Sequence, residues 1–321
     1  MTVRLTVDRA AWQAHVQAAF AAERGLVPVV KGNGYGFGRP LLHDAVLAAG
    51  AAEVCVGTVH ELTDVPAGLQ PIVLTPTLAP PTGTNAVLTV GNLAHVAALI
   101  GAAPGRRVIV KLASSMRRYG ATPQELPALL EAVHAAGLEV AAFGVHLPLA
   151  GDDADRLAEI EAWLPHLPAG TPLWVSHLSP ASMAMLRTAH PGREWRVRVG
   201  TALWHGVPKG PFLHLSVDVL HTQPVAAGDT AGYFRTTVPH DGTLVALGGG
   251  SAHGIAPLDD LDQQRRSPFH FARHRLPLLE RPQMHTSMVV VPAGQPCPQV
   301  GDRVDLQRPL ITTAADEIEW R

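Results

Sequence analysis

The chain has 321 residues, 47% hydrophobic and 16% charged, with a formal net charge of −2. That length suits about two domains, the composition argues against extensive disorder, and no basic excess points to nucleic acid. Two cysteines, Cys55 and Cys297, cannot build a disulfide framework, no run of apolar residues is long enough for a membrane span, and the opening MTVRLTVDRA lacks a signal-peptide layout, so a soluble cytoplasmic protein is expected.

Along the chain, short apolar, β-branched runs fall at 26–30, 54–58, 71–75, 86–90, 107–112, 140–146, 173–177 and 196–199. Ala/Leu-rich segments of helical period lie between most of them, at 40–49, 93–102, 123–136, 154–164 and 180–189. Continuous apolar strands separated by helices argue for a parallel sheet covered on both faces. Eight such units in about 200 residues predict an α/β fold of the (β/α)8 TIM-barrel type, with an open doubly wound sheet as the alternative. After Phe212 the texture changes. Strand-like runs at 214–223, 230–239, 243–247, 286–291 and 303–306 are separated by Pro, Gly and Asp turn signals. The expected division is a barrel domain over 1–212 and a smaller, mostly β C-terminal domain over 213–321. The Pro- and Arg-rich stretch 259–282 is the most irregular part.

Of the 25 basic residues, 22 are arginines and only three are lysines: Lys31, Lys111 and Lys209. Codon bias explains such scarcity in general. A chain that uses arginine wherever any cation serves should still keep lysine where an amine is needed, because arginine neither loses its proton near neutral pH nor forms a Schiff base. Active sites of (β/α)8 barrels lie at the C-terminal ends of the strands. There Lys31 closes the first strand, Arg118 follows the fifth, His146 closes the sixth, His177 the seventh and Arg198 the eighth. A lysine desolvated beside other cations has a lowered pKa and becomes a nucleophile, while arginine presents a fork suited to carboxylate or phosphate. The bland alternative is that any barrel places polar groups at its mouth.

The stretch Val29-Val30-Lys31-Gly32-Asn33-Gly34-Tyr35-Gly36-Phe37-Gly38 resembles the pyridoxal-phosphate lysine motif of the alanine racemase family, with Gly in place of two alanines and Phe in place of a histidine. The resemblance continues in order. It runs through Val56-Gly-Thr-Val-His-Glu61, then Lys111 to Gly120 with Met116 and Arg118 kept, then Phe143-Gly-Val-His146. It goes on through Ser176-His177-Leu-Ser179-Pro-Ala-Ser182 and Arg196-Val-Arg198-Val-Gly200-Thr201. In the second domain, 224–233 and 300–304 also follow the family.

The resemblance implies roles. Lys31 would hold pyridoxal 5'-phosphate covalently and act as one acid/base at the substrate α-carbon. Tyr35, Ser179, Ser182, Gly200 and Thr201 would hold the phosphate. Arg198 would face the pyridine nitrogen with His177 bonded to it, and Arg118 would position cofactor and substrate carboxylate, supported by Lys111, for which a structural salt-bridge role is the equal alternative. Residue His146 would be an active-site histidine. A homodimer sharing its sites, acting on a small amino acid, is expected from the same resemblance.

One departure matters for the chemistry. The family's second base is a tyrosine in the second domain, supplied by the partner subunit, and Ser251 stands at that position in Gly250-Ser251-Ala252-His253-Gly254. An unactivated serine hydroxyl is far too weak an acid to replace a phenol. Histidines stand where the family has acids, at His253 and at His285 after Met284. One of them is a candidate substitute base; drift in a site that has lost its second base is the other reading. If that base is lost, a one-face reaction such as aldol cleavage, dehydration or decarboxylation, or a non-catalytic cofactor-binding role, takes the place of racemisation. The chain stops soon after 316–319 without the family's tyrosine-bearing tail, so one phosphate contact is expected to be missing. For metal, His285 with Cys297 and the i, i+4 pair His270 and His274 are candidates by type only, and no metal is expected.

Overall fold

The structure, a computed structural model, describes residues 2–101, 105–258 and 266–321. The chain divides into two compact units. One comprises Ala14–Gly32 and Arg39–Gly206; the other comprises Met1–Gln13, Asn33–Gly38 and Val207–Arg321. The second therefore gathers two early segments that a boundary at 212/213 assigns to the barrel.

The chain opens on strand β1 (Val3–Val7) and helix α1 (Arg9–Ala22). The barrel strands follow: β2 (Leu26–Pro28), β3 (Glu53–Val56), β4 (Gln70–Val73), β5 (Leu88–Val90), β6 (Arg107–Lys111), β7 (Glu139–Gly144), β8 (Leu173–Val175) and β9 (Trp195–Val199). Strands β5-β6-β7-β8-β9-β2 form one parallel ladder and β3-β4 another. Parallel bridges Val29↔Cys55 and Ile72↔Val87 join the two, closing a circuit of eight. Each lies where an apolar run predicts it. The intervening helices are α2 (Arg39–Ala48), α3 (Leu93–Ala97), α4 (Leu126–Ala135), α5 (Asp153–Trp163), α6 (Pro180–Ala189) and α7 (Thr201–His205). A short 3-10 turn, Val59–Asp64, follows β3. Helix α3 ends earlier than its sequence pattern suggests; residue 102, the end of the predicted span, lies outside the described residues. Valines and leucines of adjacent strands, among them Val108, Val110, Val145, Leu173 and Val175, pack against helix residues Val96, Leu129, Val133 and Ile160, while Ile72, Ile109, Ala142 and Trp174 line the other face, which is why both faces of these strands read as apolar.

In the other unit, β10 (Leu213–Val225) is the spine. Its first half pairs with β1 and with β17 (Arg303–Leu306), and its second half, past an irregularity between Val219 and His221, pairs with β13 (Gly242–Gly248). Strand β13 pairs in turn with β16 (Thr286–Pro292). The run 230–239, which reads as one strand, is instead a small hairpin of β11 (Thr230–Ala231) and β12 (Thr236–Thr237). Positive φ at Gly232 and Arg235 turns the chain back. The irregular stretch 259–282 contains another small hairpin, β14 (Phe269–Phe271) and β15 (His274–Arg275); its residues 259–265 lie outside the described ones. Strand β18 (Glu317–Trp320) runs parallel to β1 at the sheet's edge. Among the described residues, no helix is long and apolar enough to cross a membrane.

Candidate active site

In the barrel unit, the expected residues converge at the C-terminal ends of the strands. The backbone of Lys31 follows β2, where Val30 donates to the Cys55 carbonyl at 2.8 Å. Two glycine amides frame it: Gly32 N–H donates to Glu61 Oε1 at 2.9 Å and Gly57 N–H to Glu61 Oε2 at 2.6 Å. A Cβ on Gly57 would meet this carboxylate at 2.9 Å and the Lys31 Cβ at 3.2 Å, so only glycine lets the lysine turn pass. The Lys31 amine is held below its ordinary pKa, first by desolvation and then by the Arg118 and Arg198 guanidiniums, with Glu61 opposing. The residue as a whole remains accessible, as a group that must meet a ligand requires.

Three more cations surround this amine's field. Lys111 ends β6, is 5% exposed, and its Nζ has no hydrogen-bond partner. Burial first, and then Arg198 and Arg118, push its pKa well down. Arg198, on β9, donates from Nη2 to the Val145 carbonyl at 2.7 Å, while its Nε is buried and unpartnered. Arg118 is exposed and lies over the Tyr119 ring at 4.6 Å. Buried charge is normally paired. Here four cations face one carboxylate whose two oxygens already serve backbone amides, so the mouth is short of negative charge.

The histidine beside Arg198 is not the expected one. Arg198 Nη2 approaches His146 Nδ1 at 3.5 Å, and that nitrogen also bonds Ser176 Oγ at 2.7 Å. No hydrogen bond joins Arg198 to His177. His177 instead stands in a left-handed turn, φ 62°, with its ring centroid 4.9 Å from that of His146. Burial, then Arg198 and Lys111, push His146 down to about 2, so it is neutral at any working pH. His177 is lowered too, by burial and then by Arg198. Ser114 Oγ donates to the His146 carbonyl at 2.7 Å, tying the β6 loop to β7.

The expected phosphate ligands are distributed unevenly. Gly200 caps α7, accepting from Leu203 N and Trp204 N, and Thr201 opens that helix, exposed. Tyr35 belongs to the Asn33–Gly38 segment of the other unit, buried with φ 55°. Ser179 caps α6, and both Ser179 N–H and Ser182 Oγ donate to one oxygen of Asp153, at 3.0 and 2.6 Å.

In the β unit, His253 and His285 stand edge to face with ring centroids 5.6 Å apart, but they are unlike. His253 is 7% exposed. Its Nδ1 accepts from Gly250 N–H at 3.2 Å, which leaves Nε2 to donate to Asp316 Oδ1 at 3.2 Å. The other oxygen of Asp316 accepts from Thr2 N, Thr2 Oγ and Val3 N. Both His253 nitrogens are thus engaged, and the residue is a brace. His285 and Ser251 are exposed. Lys209 is exposed as well and takes no part. Cys55 is fully buried with its thiol pushed up to about 12, hence inert.

Sequence reasoning gave no role to Glu61, Ser176, Asp153 or Asp316. Glu61 lay inside a quoted motif, and Asp153 lies in the Asp152/Asp155 capping box that opens α5. Asp316 has no local signal, because its partners Thr2 and Val3 are more than 300 positions away.

A closed parallel barrel whose mouth holds an accessible, pKa-lowered lysine among unpaired cations, followed by a β unit, defines a class of barrel proteins built to hold an anionic ligand against an amine. Residues 7–208 match the family model "Alanine racemase, N-terminal domain". The chain is 30% identical over 287 residues to the alanine racemase of Mycolicibacterium vanbaalenii, which spans 79% of this chain and 72% of that one. It is 29% identical over 310 residues to the alanine racemase of Nitratidesulfovibrio vulgaris strain DP4, covering 87% and 80%. The chain belongs to the alanine racemase family. Its fold is similar to that of alanine racemase from Bartonella henselae with covalently bound pyridoxal phosphate, at TM-score 0.73 and 19% identity over 100% of this chain and 99% of that one. The alanine racemase from Bacillus anthracis with bound L-Ala-P is also similar, at TM-score 0.73 and 22% identity over 99% and 87%.

Proposed function

We propose that this chain is a pyridoxal-phosphate-dependent amino-acid racemase acting at the α-carbon of a small amino acid. We assign the cofactor work to the barrel domain (1–212) and the opposite-face group to the C-terminal domain (213–321), in a cytoplasmic homodimer with shared sites. The observation that carries this reading is the charge imbalance at the barrel mouth. Lys111 Nζ and Arg198 Nε are buried without partners, and the Lys31 amine sits lowered in the same field. A cofactor whose ring carries a phenolate supplies negative charge to this field, and its aldehyde is the natural partner of an amine whose pKa is lowered.

When bound, pyridoxal phosphate supplies an electron sink that acidifies the substrate α-carbon. The chain's residues do the rest. Lys31 would hold the cofactor's aldehyde, and its amine would move the α-proton on its own side. Arg118 orients the substrate carboxylate through its planar fork. Arg198 presents a fixed cation to the cofactor ring, held by the Val145 carbonyl and by the neutral His146. Gly200 and Thr201 are assigned to the phosphate. His285 is assigned the proton on the opposite face, because His253 has both nitrogens engaged and Ser251 is too weak an acid.

The deciding experiment is borohydride reduction of the protein incubated with pyridoxal phosphate, followed by peptide mapping. The expected result is a pyridoxyl adduct on Lys31, absent in Lys31→Ala together with the visible absorption band. An adduct spread over surface amines, or none, overturns the assignment.

A further inference from the structure

The turn expected to bind phosphate at Ser179 and Ser182 is already filled from within the chain. Asp153 is the first residue of α5, and its Oδ2 takes the Ser179 N–H at 3.0 Å and the Ser182 hydroxyl at 2.6 Å at the N-terminus of α6. Its Oδ1 is held by Arg156 Nη1 at 3.1 Å. Arg156 is itself 9% exposed. Its Nε donates to the Pro148 carbonyl, and its Nη2 donates to the carbonyls of Leu149, Ala150 and Gly151. The carboxylate is therefore fixed by a buried cation locked into the β7–α5 loop. Ser182 is 6% exposed, so its hydroxyl has little freedom to turn elsewhere. The remaining Ser182 N–H donates to Ser179 Oγ at 3.2 Å.

Two anion-receptive places in the barrel thus differ. The cations around Lys31 lack a counter-charge, whereas the α6 turn has one. A helix N-terminus favours a single anion, and a phosphate brought beside a fixed carboxylate meets like charge while finding both donors taken. We propose that Asp153 is a cofactor-specificity residue. Its carboxylate excludes the cofactor's phosphate from the Ser179–Ser182 turn, so the protein gains little from that phosphate and discriminates weakly between pyridoxal phosphate and pyridoxal. The proposal rests on the cofactor reading above. It differs from a simple helix-to-helix brace because a brace has no bearing on the phosphate.

The test uses the full-length protein and its Asp153→Asn variant, each titrated with pyridoxal phosphate and with pyridoxal, following the Lys31-dependent visible band. The wild type should bind the two ligands with dissociation constants within about tenfold, one charge-assisted hydrogen bond's worth of preference. Asp153→Asn, its fold checked by circular dichroism, should tighten pyridoxal phosphate by about tenfold and leave pyridoxal within about twofold. Unchanged or weaker pyridoxal phosphate binding in a folded variant overturns the proposal. So does a wild-type preference for the phosphorylated form beyond about a hundredfold, a measurement that stands even if the variant fails to fold. If the wild type forms no Lys31-dependent adduct with either ligand, the cofactor reading itself falls and the role of Asp153 falls with it.

Discussion

The barrel mouth and the His253 corner of the β unit are both built from ionisable side chains, yet they treat charge in opposite ways. At the mouth, Lys111 Nζ and Arg198 Nε are buried with no partner. In the β unit, His253 has a partner on each nitrogen, and Asp316 has bonds on both oxygens. Unsatisfied buried polar groups cost stability, and satisfied ones add to it. The unsatisfied cluster suits the anionic cofactor proposed for it, whereas the satisfied one ties residues near the two ends of the chain together.

That contrast makes His253→Ala the most disruptive of these changes. It removes a buried ring, leaves the Gly250 amide without its acceptor, and takes one donor from Asp316. The expected loss is about 3 kcal/mol by chemical denaturation, with earlier amide exchange in β1 and β18. His285→Ala, at an exposed ring, should stay within about 0.5 kcal/mol of wild type while abolishing racemisation and sparing solvent exchange of the α-proton on the Lys31 side. If the two alanines have equal effects on stability, or if His285→Ala racemises normally, the distinction between brace and base is lost.

This distinction was only half legible in sequence. The eight barrel strands could be read because each is a short, continuous apolar run, and Lys31 stood out because the chain almost never uses lysine. Strand β1 (VRLTV) and strand β18 (EIEW) alternate instead, and they pair across nearly the whole chain. Pairing at that distance leaves no local pattern. Helix α1 is an Ala-rich segment with no preceding apolar run to frame it. For the site, residue types and order pointed to the mouth. They did not reveal that Arg198 turns to His146 rather than His177, or that Asp153 reaches across to α6, because both depend on which rotamers the packed loops permit.

The mouth's unsatisfied state predicts a trade of function for stability. Lys111→Met replaces a buried, unpartnered ammonium with an apolar chain of similar length. The ligand-free protein should become more stable by about 2 kcal/mol while its affinity for pyridoxal phosphate falls. A destabilised Lys111→Met protein means that the ammonium is satisfied in solution, and the mouth then resembles the His253 corner after all.

A pH dependence separates the two regions by where it begins. His146 has its folded pKa pushed down to about 2, by burial and then by Arg198 and Lys111, from an ordinary value of 6.5. Below pH 6.5 the unfolded chain binds a proton that the folded chain refuses. The stability associated with neutral His146 is therefore complete above pH 6.5 and drains as pH falls toward 2. His177, lowered by burial and then by Arg198, adds a slope of the same sign. Asp316 is also held at about 2: burial alone would raise it, but the hydrogen bonds from Val3 and Thr2 and the nearby His253 outweigh that. The stability from this carboxylate is present above its ordinary 3.8 and is lost only as pH falls below that. Between pH 6.5 and 4 the His146 contribution should thus fall by about 1 kcal/mol per pH unit, the full linkage slope trimmed for its partial exposure. His146→Gln should make that slope shallower, leaving the part from His177 and from His43, His95 and His270, which burial also lowers, since glutamine keeps a polar group beside Arg198 but cannot titrate. Asp316→Asn should leave it intact and change only the steeper loss below pH 4. A slope between pH 6.5 and 4 that is unchanged in His146→Gln would show that His146 does not carry the acid sensitivity and would remove this electrostatic difference between the two regions.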